Sequence, residues 1–168
     1  MPAKIQVNWD YEALGKGLST LFSTYSDTLP YQHRFNDELV KSHLLFLGFL
    51  KREDLINKFL DYNLERMSFI LDRIKGLVEK EGKEKALFSL FEGTTYQLYE
   101  GIKVEEGQRS FTCPYEPIIE ISRPSGGFGF DRQFVCDNWC IPKWKSFCNR
   151  IGVTLEYQPG TTCRVILK

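Results

Sequence analysis

Residues 151–167 read IGVTLEYQPGTTCRVIL, the pattern of two short strands around a tight turn. Apolar and polar side chains alternate over Val153–Tyr157, and Cys163–Leu167 has the composition of a second strand. Pro159 and Gly160 between them have the backbone preferences of a turn. Gly152 would end a preceding helix, because glycine readily adopts the left-handed conformation found at helix C-termini. The C-terminal part is therefore predicted to be a helix followed by an antiparallel hairpin.

The helix before this hairpin is predicted over Val135–Arg150, and Pro142 is its difficult residue. Proline has no backbone N–H and is comfortable only in the first turn of a helix. Two arrangements stay open. Either the helix starts near Ile141 with Cys136–Cys140 in the preceding loop, or it continues through the proline with a kink.

A second hairpin is predicted upstream, over residues 117–130. Pro117–Ser122 is rich in isoleucine, Pro124–Gly127 supplies turn residues, and Phe128–Phe130 could return as the partner strand.

The N-terminal part has the apolar spacing of helices with one buried face. Four helices are predicted, over residues 11–25, 36–50, 53–81 and 83 to about 98. The resulting fold class is α+β, with N-terminal helices packed on an antiparallel sheet. A single domain over residues 1–168 is expected, with a helical layer at 1–106 and a cysteine-containing sheet and helix layer at 107–168.

Composition excludes several partners. The chain has 168 residues with 22 Lys and Arg against 22 Asp and Glu, and no basic run that could follow a phosphate backbone, so no nucleic acid is expected. The longest apolar run, residues 44–50, is far shorter than the roughly 20 residues of a membrane helix. The first ten residues lack the apolar core of a signal peptide. We therefore expect a soluble, cytoplasmic protein with reduced cysteines and no membrane partner.

All five cysteines lie in the last third of the chain. Cys136 and Cys140 would share one face of a helix, and the hairpins could bring Cys113 and Cys163 beside them. Four thiolates suit zinc or an iron centre, and three would leave a position open for water or substrate. These four cysteines are the candidate metal ligands, and Cys148 is the expected bystander. The alternative is that all are small buried apolar residues.

A cysteine nucleophile is the second possibility, with Cys136 and Cys140 as candidates. A reactive thiolate needs a nearby cation, and four cationic residues lie close in sequence: Arg132, Lys143, Lys145 and Arg164. No histidine lies close to the cysteines in sequence. His43 falls on an apolar helix face, a position more typical of a core residue. The aromatic residues around the cysteines could line an apolar ligand pocket or belong to the core: Phe128, Phe130, Trp139 and Trp144.

Three short stretches resemble the 4-vinyl reductase domain family and the related L-2-amino-thiazoline-4-carboxylic acid hydrolase family. They are residues 135–140 (VCDNWC), 151–156 (IGVTLE) and 163–166 (CRVI), and Cys113-Pro114 is similar to a cysteine that some members place before the sheet. The resemblance implies a compact domain that encloses a small apolar or sulfur-containing molecule, with cysteines that hold a metal.

Three functions follow as expectations. The first is a small-molecule-binding or metal-binding domain, forming a homodimer, that uses the cysteine cluster. The second, implied by the hydrolase family, is an enzyme that opens a small C–N or C–S bond with water. The third is a partner subunit without a site of its own, which an exposed apolar patch on the N-terminal helices would indicate.

Overall fold

The computed structural model describes residues 37–93, Tyr99 and residues 101–168, together with Glu12, Lys16 and Gly17. The chain divides into two compact units, residues 1–35 and residues 36–168. The second unit contains a four-stranded sheet and the helices around it. The helix predicted over residues 11–25 falls outside the described residues.

Two long helices begin the second unit. Helix α1 covers Asp37–Arg52 and helix α2 covers Ile56–Glu81, as the apolar spacing predicts. The buried residues of α1 recur every three or four positions, at Val40, Leu44, Leu47 and Leu50. Gly82 ends α2 with a φ of 95°, a conformation that glycine adopts without strain.

A shorter helical segment follows. Helix α3 covers Glu84–Leu87 and continues as a π-helix over Phe88–Gly93. Its inward side chains Ala86, Leu87, Leu90 and Phe91 are buried. The predicted end of this helix near Leu98 lies outside the described residues.

The sheet has four antiparallel strands in the order β1-β2-β4-β3. They are β1 Lys103–Glu105, β2 Gln108–Thr112, β3 Leu155–Gln158 and β4 Thr162–Leu167. The β3–β4 hairpin confirms the prediction from residues 151–167, and the mixture of helices with an antiparallel sheet confirms the α+β class. Strand β2 pairs with β4, which sets Phe111 opposite Cys163.

The upstream hairpin prediction is wrong in its position. Residues 115–122 form helix α4, Tyr115–Ser122, and Phe128–Phe130 is not a strand. The isoleucines suggested a strand, but Pro117 falls in the first turn of the helix, where a missing N–H is harmless. Tyr115, Ile118 and Ile119 then share one buried face, and this packing outweighs the β-propensity of isoleucine.

The first hairpin of the sheet is formed instead by β1 and β2, joined at Gly107 with a φ of 70°. The alternation of this segment is hidden because Arg109, Ser110 and Phe111 are all buried although they alternate between the two faces of the strand, and the first two are polar. The Glu106-Gly107 dipeptide between short extended runs was the available signal.

The helix that carries Cys136, Cys140 and Cys148, which we call the cysteine helix, is continuous through Pro142. It begins at Asp131, whose side chain accepts a hydrogen bond from the Phe134 backbone N–H at 2.8 Å. Helix α5, Arg132–Val135, is followed by a π-helix over Cys136–Cys140 and by α6, Ile141–Ile151, which ends at Gly152 with a φ of 75°. Of the two arrangements expected at Pro142, the structure contradicts a start near Ile141 and has the helix continue through the proline. A π turn precedes Pro142, in which the Ile141 backbone N–H bonds to the Cys136 carbonyl five residues back.

Exposed apolar side chains lie along α1 and α2, including Leu45, Phe46, Phe49, Tyr62 and Phe69. This is the feature that the partner-subunit alternative and the homodimer would require, and both stay predictions. Among the helices of the described part of the chain, none has the length and apolar content needed to cross a membrane.

Candidate functional site

Four of the five cysteines come together. Cys113 directly follows β2 and its backbone N–H donates to the Thr161 carbonyl at 2.8 Å, while Cys163 lies on the paired strand β4. Cys136 and Cys140 are the first and last residues of the π-helix. All four are 5% exposed or less. We call this group the thiol cluster.

Cys113 and Cys163 form the tightest pair of the cluster. The Cys163 thiol donates a hydrogen bond to the Gly160 carbonyl at 3.4 Å, and hydrogen bonding between Cys113 and Cys163 raises the pKa of Cys113 and lowers the pKa of Cys163. The Tyr157 hydroxyl also donates to Cys163, and the charge of Arg132 acts in the same direction on this thiol. The pair is therefore expected to lose its first proton more readily than its second.

Cys136 and Cys140 are harder to ionise. Burial raises the pKa of Cys136, partly opposed by Arg132, and burial raises the pKa of Cys140 to about 12, partly opposed by Lys143. Both were the candidate nucleophiles, yet the thiol with a lowered pKa is Cys163.

Arg132 is the cation that accompanies the cluster. Its Nε lies 3.1 Å from Glu116 Oε1, and it also contacts Cys136. Of the other cations near the cysteines in sequence, Lys143 acts on Cys140, whereas Lys145 and Arg164 are exposed.

The sulfur atoms of the thiol cluster lie near one another, but they do not surround a common centre as metal ligands do. Within residues 37–93 and 101–168, no three Cys, His, Asp or Glu side chains are arranged as metal ligands. Cys148 belongs elsewhere: it is buried, its pKa is raised to about 12 by burial alone, and it lines a separate cavity with Asn149 and Leu155. His43 lies with its Nδ1 3.3 Å from the Tyr115 hydroxyl.

The aromatic residues expected to line one pocket separate into two places. Phe128 and Phe130 lie beside α1, with their rings 6.2 Å apart and Lys51 Nζ donating to the Gly129 carbonyl at 2.8 Å. Trp139 and Trp144 line a different cavity.

That second cavity has a volume of about 190 Å³ and lies between α1, α2 and the cysteine helix. We call it the lysine cavity, and its ring-bearing and polar lining residues are His43, Asn63, Trp139, Lys143, Trp144 and Phe147. Sequence reasoning considered Lys143 only as a cation near the cysteines. The missed signal is the spacing of Trp139, Lys143 and Phe147, which places two rings on the helix face of one lysine.

Compared with family models, curated proteins and solved structures, the chain matches none. The resemblance to the vinyl reductase and thiazoline hydrolase families therefore stays a prediction. The function has to be argued from the thiol cluster and the lysine cavity.

Proposed function

We propose that this chain is a small-molecule-binding domain of the vinyl reductase type, and that its thiol cluster binds zinc or iron. The observation that supports this most is the convergence of four buried cysteines from three parts of the fold. Cys113 and Cys163 come from paired strands, and Cys136 and Cys140 come from a π-helical turn. If the cysteines were only small buried core residues, there would be no reason for four of them to lie together while Cys148 lines a separate cavity.

The donor set suits a soft divalent metal, because thiolates are preferred ligands of zinc and iron. Hydrogen bonding with Cys113 and Tyr157, and the positive charge of Arg132, lower the pKa of Cys163 and so make its thiolate easier to form. Binding would replace the hydrogen bond between Cys113 and Cys163 with two metal–sulfur bonds. It would also release thiol protons, since only thiolates coordinate.

The first prediction concerns metal content. Protein purified without oxygen or added metal is expected to contain nearly one equivalent of zinc or iron, measured by elemental analysis. Cys136→Ser and Cys140→Ser should each lose most of it, because each removes a ligand. Cys148→Ser is the matched control, since Cys148 is equally buried on the same helix but outside the cluster, and it should retain the metal. A metal-free wild type, or equal loss in all three variants, would contradict the proposal.

The lowered pKa of Cys163 favours a second function, a hydrolase of the thiazoline type with Cys163 as nucleophile. Its near-complete burial speaks against this, because a nucleophile must reach its substrate. The two functions differ in how the thiols react with an alkylating agent.

The second prediction is that iodoacetamide in mildly acidic buffer leaves Cys163 unmodified until a chelator is added. Mass spectrometry of digested protein measures the label at each cysteine, and the labelling of Cys148 should not respond to the chelator. Rapid labelling of Cys163 without chelator would support the hydrolase instead. In that case turnover of 2-amino-thiazoline-4-carboxylate should disappear in Cys163→Ser.

A further inference from the structure

Lys143 is surrounded by aromatic rings in a place where a lysine is unusual. Its Nζ lies 4.1 Å from the centroid of the Trp144 ring, 5.6 Å from that of Trp139 and 6.0 Å from that of Phe147. No Asp or Glu of the described residues pairs with it in an ion pair. The amine therefore lies beside an apolar cavity without a carboxylate partner, and the aromatic rings are the groups that hold it there.

The rest of the lysine cavity suits a small, mainly apolar molecule. Its walls include Met67, Leu71 and Leu90, and its volume of about 190 Å³ exceeds that of an engineered cavity of about 150 Å³ that accepts benzene. Asn63 adds one polar feature, because its Oδ1 is buried and has no hydrogen-bond partner. Buried polar atoms are normally paired, so this oxygen is available to a ligand that carries an O–H or N–H group.

Burial makes Lys143 easier to deprotonate than an ordinary lysine, although the charge of its neighbour Cys140 does not. Burial lowers the pKa of Lys143 to about 8, and Cys140 on the π-helix opposes this shift. His43 on α1 faces the same cavity, and its own pKa is lowered by burial and by Lys143. Helix α2 and the Phe88–Gly93 segment contribute only uncharged side chains to the cavity. An unprotonated lysine in an apolar pocket is a nucleophile for carbonyl carbon.

We propose that Lys143 forms an imine with a small apolar aldehyde or ketone held in the lysine cavity. The Nζ lone pair forms a bond to the carbonyl carbon, and the C=O π electrons move to oxygen, which takes up a proton to give a carbinolamine. Nitrogen loses a proton, which leaves the carbinolamine neutral. A second proton then adds to its hydroxyl, the C–O bond breaks as water leaves, and the nitrogen lone pair completes the C=N bond of a protonated imine. His43 is the titratable group of the cavity that can carry these protons, and Asn63 Oδ1 can accept from the carbinolamine hydroxyl.

The third prediction tests this on the full chain with benzaldehyde and sodium cyanoborohydride, which reduces an imine to a stable benzylamine. Chymotryptic cleavage after Trp144 places Lys143 and Lys145 on separate peptides, so mass spectrometry measures both in one sample. Lys145 is the internal control, because it lies on the same helix and is exposed. In neutral buffer Lys143 is expected to be labelled about tenfold faster than Lys145, because the cavity holds the aldehyde beside Lys143 and the pKa of its amine is lowered.

Three further results are expected. The labelling rate of Lys143 should rise with pH and level off above about pH 8, as its amine loses its proton. Benzyl alcohol, which fills the cavity but cannot form an imine, should slow labelling of Lys143 and not of Lys145. Lys143→Arg should lose the fast-labelled equivalent, and Lys145→Arg should keep it. Equal labelling of the two lysines in the wild type, or no effect of benzyl alcohol, would overturn the proposal without relying on a variant.

Discussion

Replacing Arg109 by methionine is expected to lower the free energy of unfolding by about 3 kcal/mol. Arg109 lies on β2 and is only 4% exposed. Its Nε is 2.6 Å from Glu92 Oε1 and its Nη1 is 3.0 Å from Glu84 Oε1. The same Nη1 donates to the carbonyls of Glu105 and Gln108 at 2.8 Å each. One side chain therefore joins the first hairpin to α3 and to the π-helix that follows it.

The size of the effect comes from the groups that the substitution leaves behind. Methionine preserves most of the buried stem but leaves two carboxylates and two carbonyls without their donor. Breaking a buried ion pair in this way costs about 3–5 kcal/mol. The lower end applies here, because Glu84 and Glu92 are partly exposed and water can replace some of the lost interaction.

Urea denaturation followed by circular dichroism measures this loss. Arg150→Met is the matched control, since Arg150 also makes two hydrogen bonds to one carboxylate, with both distances to Asp72 at 2.9 Å, but at the surface. Its loss should be much smaller, because solvent screens exposed pairs. Adding Glu92→Gln to Arg109→Met should recover part of the stability. Equal losses in the two arginine variants would show that the buried network contributes no more than a surface pair.

Replacing Phe91 by alanine is expected to cost about 3–5 kcal/mol of unfolding free energy. Phe91 is fully buried at the centre of the aromatic core, with its ring centroid 4.7 Å from that of Trp144 and 5.9 Å from that of Phe111. Alanine removes the whole ring from between α6 and β2. The cavity left behind loses both the burial of the ring and its contacts with the neighbouring rings.

Phe88→Ala is the control for this variant. Phe88 lies three residues earlier in the same π-helix and is 51% exposed, so removal of its ring should change stability by no more than about 0.5 kcal/mol. Thermal unfolding followed by calorimetry gives both values, and Phe91→Ala should also shift the fluorescence of the adjacent Trp144. A similar stability for the two variants would mean that the core closes around the missing ring.

The sequence alone predicted those elements whose patterns are local. Helices α1 and α2 have apolar residues at helical spacing, and the β3–β4 hairpin combines alternation with a Pro-Gly turn. The position of all five cysteines in the last third is likewise read directly from the sequence. Each of these follows from neighbouring residues and needs no knowledge of which elements pack together.

Tertiary packing decided the rest. Residues 115–122 have the composition of a strand, but burial of Tyr115, Ile118 and Ile119 on one side makes them a helix. The β1–β2 hairpin could not be recognised from sequence, because its buried Arg109 does not fit the pattern of a buried strand. The carboxylates that pair with Arg109 in the structure, Glu84 and Glu92, lie on other elements.

The candidate sites show the same division. The pairing of Cys113 with Cys163 depends on β2 lying beside β4, a contact between strands about fifty residues apart in sequence. The lysine cavity depends on α1 and α2 covering one face of the cysteine helix, because this packing leaves Lys143 half-buried among aromatic rings. Sequence identifies the side chains that can do chemistry, whereas desolvation and non-local contacts determine their pKa values and their partners.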